Sequence, residues 1–203
     1  MNVESAILHL KKDAILAKVI EIVPPPVISP TGNVYVDLLD AIVSQQLSIK
    51  AASTIFNRFL ALFPENDPTP DLLLAMEPDL LRSAGLSNQK ANYLKHVAAF
   101  ARAHDLQSYA WDTASDTEII RMLTQIKGVG QWSAEMILMF TLGRPDVFPV
   151  DDLGIQQSII NLFQLTETGK ALQHRMIQIA EPWRPYRTLA CRYLWRWKDI
   201  KPN

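Results

Sequence analysis

Apolar residues recur at three- and four-residue spacing along almost the whole chain, and this periodicity confines it to helices. Glycine is scarce, 7 in 203 residues, so few points interrupt the pattern, and about ten helices are predicted. Prolines and capping residues punctuate them. Pro24, Pro25 and Pro26 cannot continue a helix, so a first helix over residues 4–23 should end there in an extended linker. Residues 1–32 are accordingly expected to form an N-terminal helix and Pro-rich linker packing on a core of residues 33–203. A second helix, 34–46, should break at Leu47-Ser48, where Ser48 caps the next. Ser87 opens a long helix, and Ser115, followed by Asp116 and Glu118, opens another that runs to about residue 126. Pro145 and Pro149 bracket a loop ahead of Asp151.

Composition excludes several classes of function. With 48% hydrophobic and 20% charged residues, the chain is neither disordered nor low in complexity. Its apolar runs fall well short of the roughly 18 residues that span a bilayer, and its N-terminus lacks the pattern of an export signal. A soluble, cytoplasmic protein, nucleoid-associated in function, is expected. The single cysteine, Cys191, excludes an internal disulfide, a multi-cysteine zinc site and a four-thiolate iron–sulfur cluster, so chemistry must come from other side chains. A net charge of −1 lacks the basic excess of a generic DNA binder. However, Arg184, Arg187, Arg192, Arg196 and Lys198, interleaved with Tyr186, Tyr193, Trp195 and Trp197, include no acid and form either one basic, aromatic face or an ordinary solvated helix face.

Residues 123–130 read as two helices joined by a Gly128-Val129-Gly130 hairpin. Without Cβ atoms, both glycines can take positive φ and let a phosphate approach the backbone, while the amides opening the next helix point outward as donors. Lys127 faces solvent or a phosphate. Such a turn either grips DNA without reading its sequence or is an ordinary turn between two core helices.

The run LTQIKGVGQWSAEMILMFTLGRPDVFPVDDLGI, residues 123–155, resembles the hairpin, loop and aspartate signature of the helix-hairpin-helix DNA glycosylase superfamily, most closely its 3-methyladenine DNA glycosylase II branch. Ser44-Gln45-Gln46-Leu47-Ser48 with Lys50-Ala51-Ala52 is similar to the same branch. So are Gly85-Leu86-Ser87 with Lys90 and Tyr93-Leu94, Trp183-Arg184-Pro185-Tyr186-Arg187, and Tyr193-Leu194-Trp195. The resemblance implies an all-α, two-lobed helical bundle with a helix-hairpin-helix motif and the DNA- and base-binding cleft between the lobes. It also implies a monofunctional glycosylase that hydrolyses the N-glycosidic bond of alkylated purines, of the 3-methyladenine and 7-methylguanine type, in double-stranded DNA. An abasic site is left for base excision repair.

Individual roles follow from the same resemblance. The family's catalytic acid lies three positions before an apolar residue that matches Ile155, which selects Asp152 and leaves Asp151 as a capping residue. A carboxylate at a helix start meets the positive end of the helix dipole, which favours the anion. That anion stabilises the positive charge built on the sugar and can deprotonate water. The position two residues after Gly130 carries the Schiff-base lysine in members that also cleave the strand; here it is Trp132, which cannot form one. Trp132 and Trp195 match base-pocket positions, with Tyr193 as a further wall. An indole face attracts a cationic purine by about 1–2 kcal/mol when desolvated. Leu47, flanked by Gln46 and Ser48, matches the plug that fills the gap left by an everted base. The backbone carbonyls of Thr124, Ile126 and Val129 match a site for a structural Na+ or K+, with no cofactor needed for catalysis. The expected partner is duplex DNA containing a damaged base, bound by a monomer without membrane attachment. The alternatives are a non-catalytic helix-hairpin-helix DNA-binding module and a helical scaffold with no nucleic-acid role.

Overall fold

A computed structural model describes residues 2–106 and 108–200, and of Ile49 the backbone alone. The outermost residues of the two expected segments, 1 and 201–203, lie outside the described residues. In chain order the helices are α1 (Val3–Leu10), α2 (Ala14–Ile22), α3 (Val34–Ser44), α4 (Ile49–Leu60), α5 (Pro70–Ala75) and α6 (Pro78–Ser83). They continue with α7 (Asn88–His104), α8 (Asp116–Leu123), α9 (Gln131–Met136), α10 (Leu153–Phe163), α11 (Gly169–Ala180) and α12 (Arg187–Ile200). A π-helical turn, Ile137–Thr141, prolongs α9. There is no strand among the described residues, as the helical periodicity requires. Asn33, Ser48, Ser87 and Ser115 each accept an amide of the helix they precede, and Ser115 forms a reciprocal capping box with Glu118.

The chain divides into two compact units, one of Met1–Ser29 with Gly143–Asn203 and one of Pro30–Leu142. In the second unit α3 is central. Leu38, Leu39, Ile42 and Val43 are fully buried, and α4, α7 and the π-helical turn pack around it. Ile119 and Leu123 of α8 and Leu94 and Val97 of α7 extend that core. In the first unit α10 packs on α12, and α2 covers another side of α12. Ser158 of α10 donates from Oγ to the Leu194 carbonyl at 3.0 Å, an explicit tie between two apolar faces.

The N-terminal region differs from its sequence expectation in two ways. A single helix over 4–23 is replaced by α1 and α2, because Asp13 caps the second through the amides of Ile15 and Leu16. The segment also joins the C-terminal helices, so residues 33–203 fall into two units. Trp183 Nε1 donates to Asp13 Oδ2 at 3.0 Å, and Arg192 donates to the Val27 carbonyl at 2.7 Å. Arg196 reaches the carbonyls of Pro24 and Pro25. Helical periodicity reports local structure and carries no signal for packing between residues this far apart in sequence.

No helix among the described residues is long and apolar enough to cross a membrane.

Candidate active site

The loop that delivers the sequence-predicted acid is fixed from below by α12. Thr188, buried at the start of that helix, accepts the Val147 amide at 3.0 Å and donates to the Arg144 carbonyl at 2.6 Å. Arg187 donates through Nε and Nη2 to the two carboxylate oxygens of Asp146, at 2.7 and 3.0 Å, and Arg184 adds a third bond at 2.6 Å. The expected basic face over residues 184–198 is thus largely engaged inside its own unit: two arginines hold this loop and two hold the proline strap.

Asp152 closes the loop and opens α10. Its Oδ1 accepts the Ile155 amide at 2.8 Å and the Trp195 indole Nε1–H at 2.8 Å, and the residue is 8% exposed. Gly154 makes this approach feasible. A Cβ there would lie 3.0 Å from Trp195 Cδ1 and 3.1 Å from Asp152 Oδ1, both inside ordinary contact distance. Asp151 departs from its expected capping role. Its side chain is exposed and accepts from Gln173, while Asp152 itself is the cap. Candidate acid and N-cap are one residue: Asp152 stands immediately before the helix with extended backbone, φ −70° and ψ 118°.

Tyr193 lies elsewhere. Two residues along a helix differ by about 200° in direction, so it leaves α12 on the side away from Trp195, where it is 1% exposed and packed in the unit's interior. Burial pushes its hydroxyl above the ordinary phenol range. It does not share the Asp152–Trp195 face expected of a pocket wall.

In the other unit, the segment between α8 and α9 forms the hairpin. Gly128 has φ +103°, and a Cβ on it would sit 2.4 Å from Tyr93 Cγ, so both conformation and space disfavour any other residue. Gly130 differs from its expected positive φ. At φ −93° it caps α9 with nothing within 4 Å of a Cβ, because the helix begins directly after it. Lys127 is exposed, Val129 is buried, and Trp132, in the first turn of α9, is 40% exposed. The Ile126 carbonyl accepts the Val129 amide at 2.9 Å.

The α3–α4 break falls at Gln45–Ser48, as the sequence predicts. Gln46 is left-handed at φ +59° and exposed, Leu47 is 39% exposed, and Ser48 is committed to capping α4. Three residues that sequence reasoning gave no role join this break to the hairpin. Gln45 Nε2 donates to the Gly128 carbonyl at 3.0 Å. Lys90 donates to the carbonyls of Val43 and Gln45, each at 2.7 Å, satisfying the end of α3, and Tyr93 lies beneath Gly128. Only pairings across distant sequence give these residues their meaning.

Among the described residues, no group of three or more His, Cys, Asp or Glu side chains is placed to hold a metal ion.

Residues 39–185 match the HhH-GPD superfamily of base excision DNA repair proteins. DNA-3-methyladenine glycosylase 1 of Schizosaccharomyces pombe is 37% identical over 164 residues, covering 80% of this chain and 71% of that protein. The solved structure of the S. pombe 3-methyladenine DNA glycosylase in complex with abasic DNA superposes with a TM-score of 0.80 at 34% identity, over 94% of this chain and 95% of that one. The DNA-3-methyladenine glycosidase of Bacillus halodurans gives a TM-score of 0.78 at 37% identity, over 95% of this chain and 88% of the other.

Proposed function

Because the chain belongs to the HhH-GPD superfamily of base excision DNA repair proteins, we infer that it is a DNA glycosylase that hydrolyses the N-glycosidic bond of alkylated purines in duplex DNA. The observation that carries the assignment of the reaction to one residue is the Asp152 carboxylate, held by a backbone amide and an indole N–H. Two donors on one oxygen fix the plane of the group, which spares it reorganisation as charge develops.

In the proposed reaction, water's oxygen bonds to C1′ of the deoxyribose and the bond from C1′ to the purine nitrogen breaks. Its electron pair leaves with the base, neutralising the positive charge that alkylation placed on the ring. Asp152 stabilises the oxocarbenium-like state and takes the proton from water. The products are a free purine and an abasic sugar. Trp195, hydrogen-bonded to the acid, supplies an indole face for a cationic base. Trp132 stands where a strand-cleaving relative would need a lysine amine, which supports a monofunctional reaction through water.

The hairpin binds the DNA backbone through its amides, and Leu47 fills the space of the everted base. Its exposure at the α3–α4 break is consistent with that task. Thr124, Ile126 and Val129 offer backbone oxygens, the donor class that alkali cations prefer, and a carbonyl already accepting one amide keeps a second lone pair. A Na+ or K+ there would add positive charge beside the phosphates. The protein acts as a cytoplasmic monomer on chromosomal DNA.

Incubation with methylated duplex DNA tests the reading. Release of free methylated purine, with no covalent adduct after borohydride reduction, is the expected result. No release contradicts the glycosylase, and a trapped adduct contradicts the water mechanism.

A further inference from the structure

Along α7, Gln89, Asn92, Tyr93 and His96 stand at i, i+3, i+4 and i+7 and therefore share one face. Gln89, Asn92 and His96 are exposed and Tyr93 is half-buried. The stripe passes under the hairpin, since Tyr93 is the residue that excludes a Cβ from Gly128. Together with Lys127 these four residues line a concavity of about 390 Å³. Gln89 Nε2 donates to Tyr93 Oη at 2.7 Å, which orients both groups. Two amides, a phenol, an imidazole and an ammonium line this channel, and there is no carboxylate among them. That set suits an anion.

We propose that this face of α7 is a second contact for backbone phosphates, engaging the strand gripped by the hairpin. The proposal rests on the glycosylase reading, since it takes its occupant from it. From Gln89 to His96 the helix rises about 10 Å, long enough to meet two adjacent phosphates of one strand. Neutral amide donors position a duplex without adding formal charge. This reconciles DNA binding with a net charge of −1 in a chain whose α12 arginines are engaged internally.

The test is affinity for a duplex carrying a tetrahydrofuran abasic analogue, measured by fluorescence anisotropy over a salt series. Combined Gln89→Ala, Asn92→Ala and His96→Ala should weaken binding about tenfold and equally on unrelated sequences. His96→Lys should tighten it and steepen the slope of log affinity against log salt by about 0.9, the value for one added phosphate contact. If the alanine variant fails to fold by circular dichroism, His96→Lys decides alone. Wild-type binding with both variants indistinguishable from it overturns the α7 contact and leaves the glycosylase reading standing. A wild-type protein that binds no duplex overturns both.

Discussion

The indole Nε1–H of Trp195 and the Ile155 amide converge on one oxygen, Oδ1 of Asp152, each at 2.8 Å. A helix cap and an aromatic side chain 43 residues away in sequence thus fix the same carboxylate. Replacing Trp195 by Phe keeps an aromatic ring, though a smaller one, and removes the donor. A hydrogen bond to a charged group contributes about 1.5–3 kcal/mol, so single-turnover excision of 7-methylguanine should slow by at least about tenfold. An unchanged rate means the indole bond has no part in holding the acid.

Gly154→Ala tests the same contact from its other side. The added methyl meets Trp195 and Asp152 at 3.0–3.1 Å, while alanine in a helix gains up to about 1 kcal/mol over glycine. Opposed effects of similar size should leave the melting temperature within a few degrees of wild type, with excision clearly slower. Equal activity would show that the indole yields without moving the carboxylate.

The two hairpin glycines should separate. Gly128→Ala meets a left-handed backbone, costing about 1–2 kcal/mol, and a collision with the Tyr93 ring, so the melting temperature should fall. Gly130→Ala has ordinary φ and open space around it, so the fold should persist and any loss of DNA affinity reports crowding of a phosphate. Thermal denaturation beside duplex binding measures both. Equal melting losses would contradict the geometry.

These pairs mark where the sequence was legible and where it was not. Helix content, the break before Ser48 and the Gly-flanked hairpin are local features, written in periodicity, caps and glycines, and each is found in the structure. The start of α10 falls one residue later than the sequence reading places it: the cap is Asp152, not the expected Asp151. Gly154, Gln45, Lys90 and Tyr93 fall in segments that carry the resemblance, but their roles are not legible there, because each matters through a partner tens of residues away. The arginines of residues 184–198 show the converse. Their spacing suggested a solvent-facing basic surface, but their charges meet Asp146 and the carbonyls of the proline strap. Spacing gives a residue's direction on a helix and says nothing of what waits there.

Asp40 provides a pH signature. Burial pushes its carboxyl above the ordinary range, partly countered by the Ser44 hydroxyl, with Asp37 adding to the rise. The folded state therefore holds this proton more tightly than the unfolded one. Its contribution to stability is full at acid pH and is lost as pH rises through the folded-state value. Asp40→Asn removes the titration, so the variant's melting temperature relative to wild type should be higher at pH 7 than at pH 4. A difference independent of pH would show that Asp40 is well solvated.

The most direct measurement compares wild type with Asp152→Asn for release of free 3-methyladenine and 7-methylguanine from methylated duplex DNA. Asparagine is as good an N-cap as aspartate, so the variant should fold and melt like wild type while losing the anion. Excision slowed by about a hundredfold or more, with affinity for abasic duplex retained, is the expected result. A variant that releases both bases as fast as wild type would contradict a catalytic role for this carboxylate.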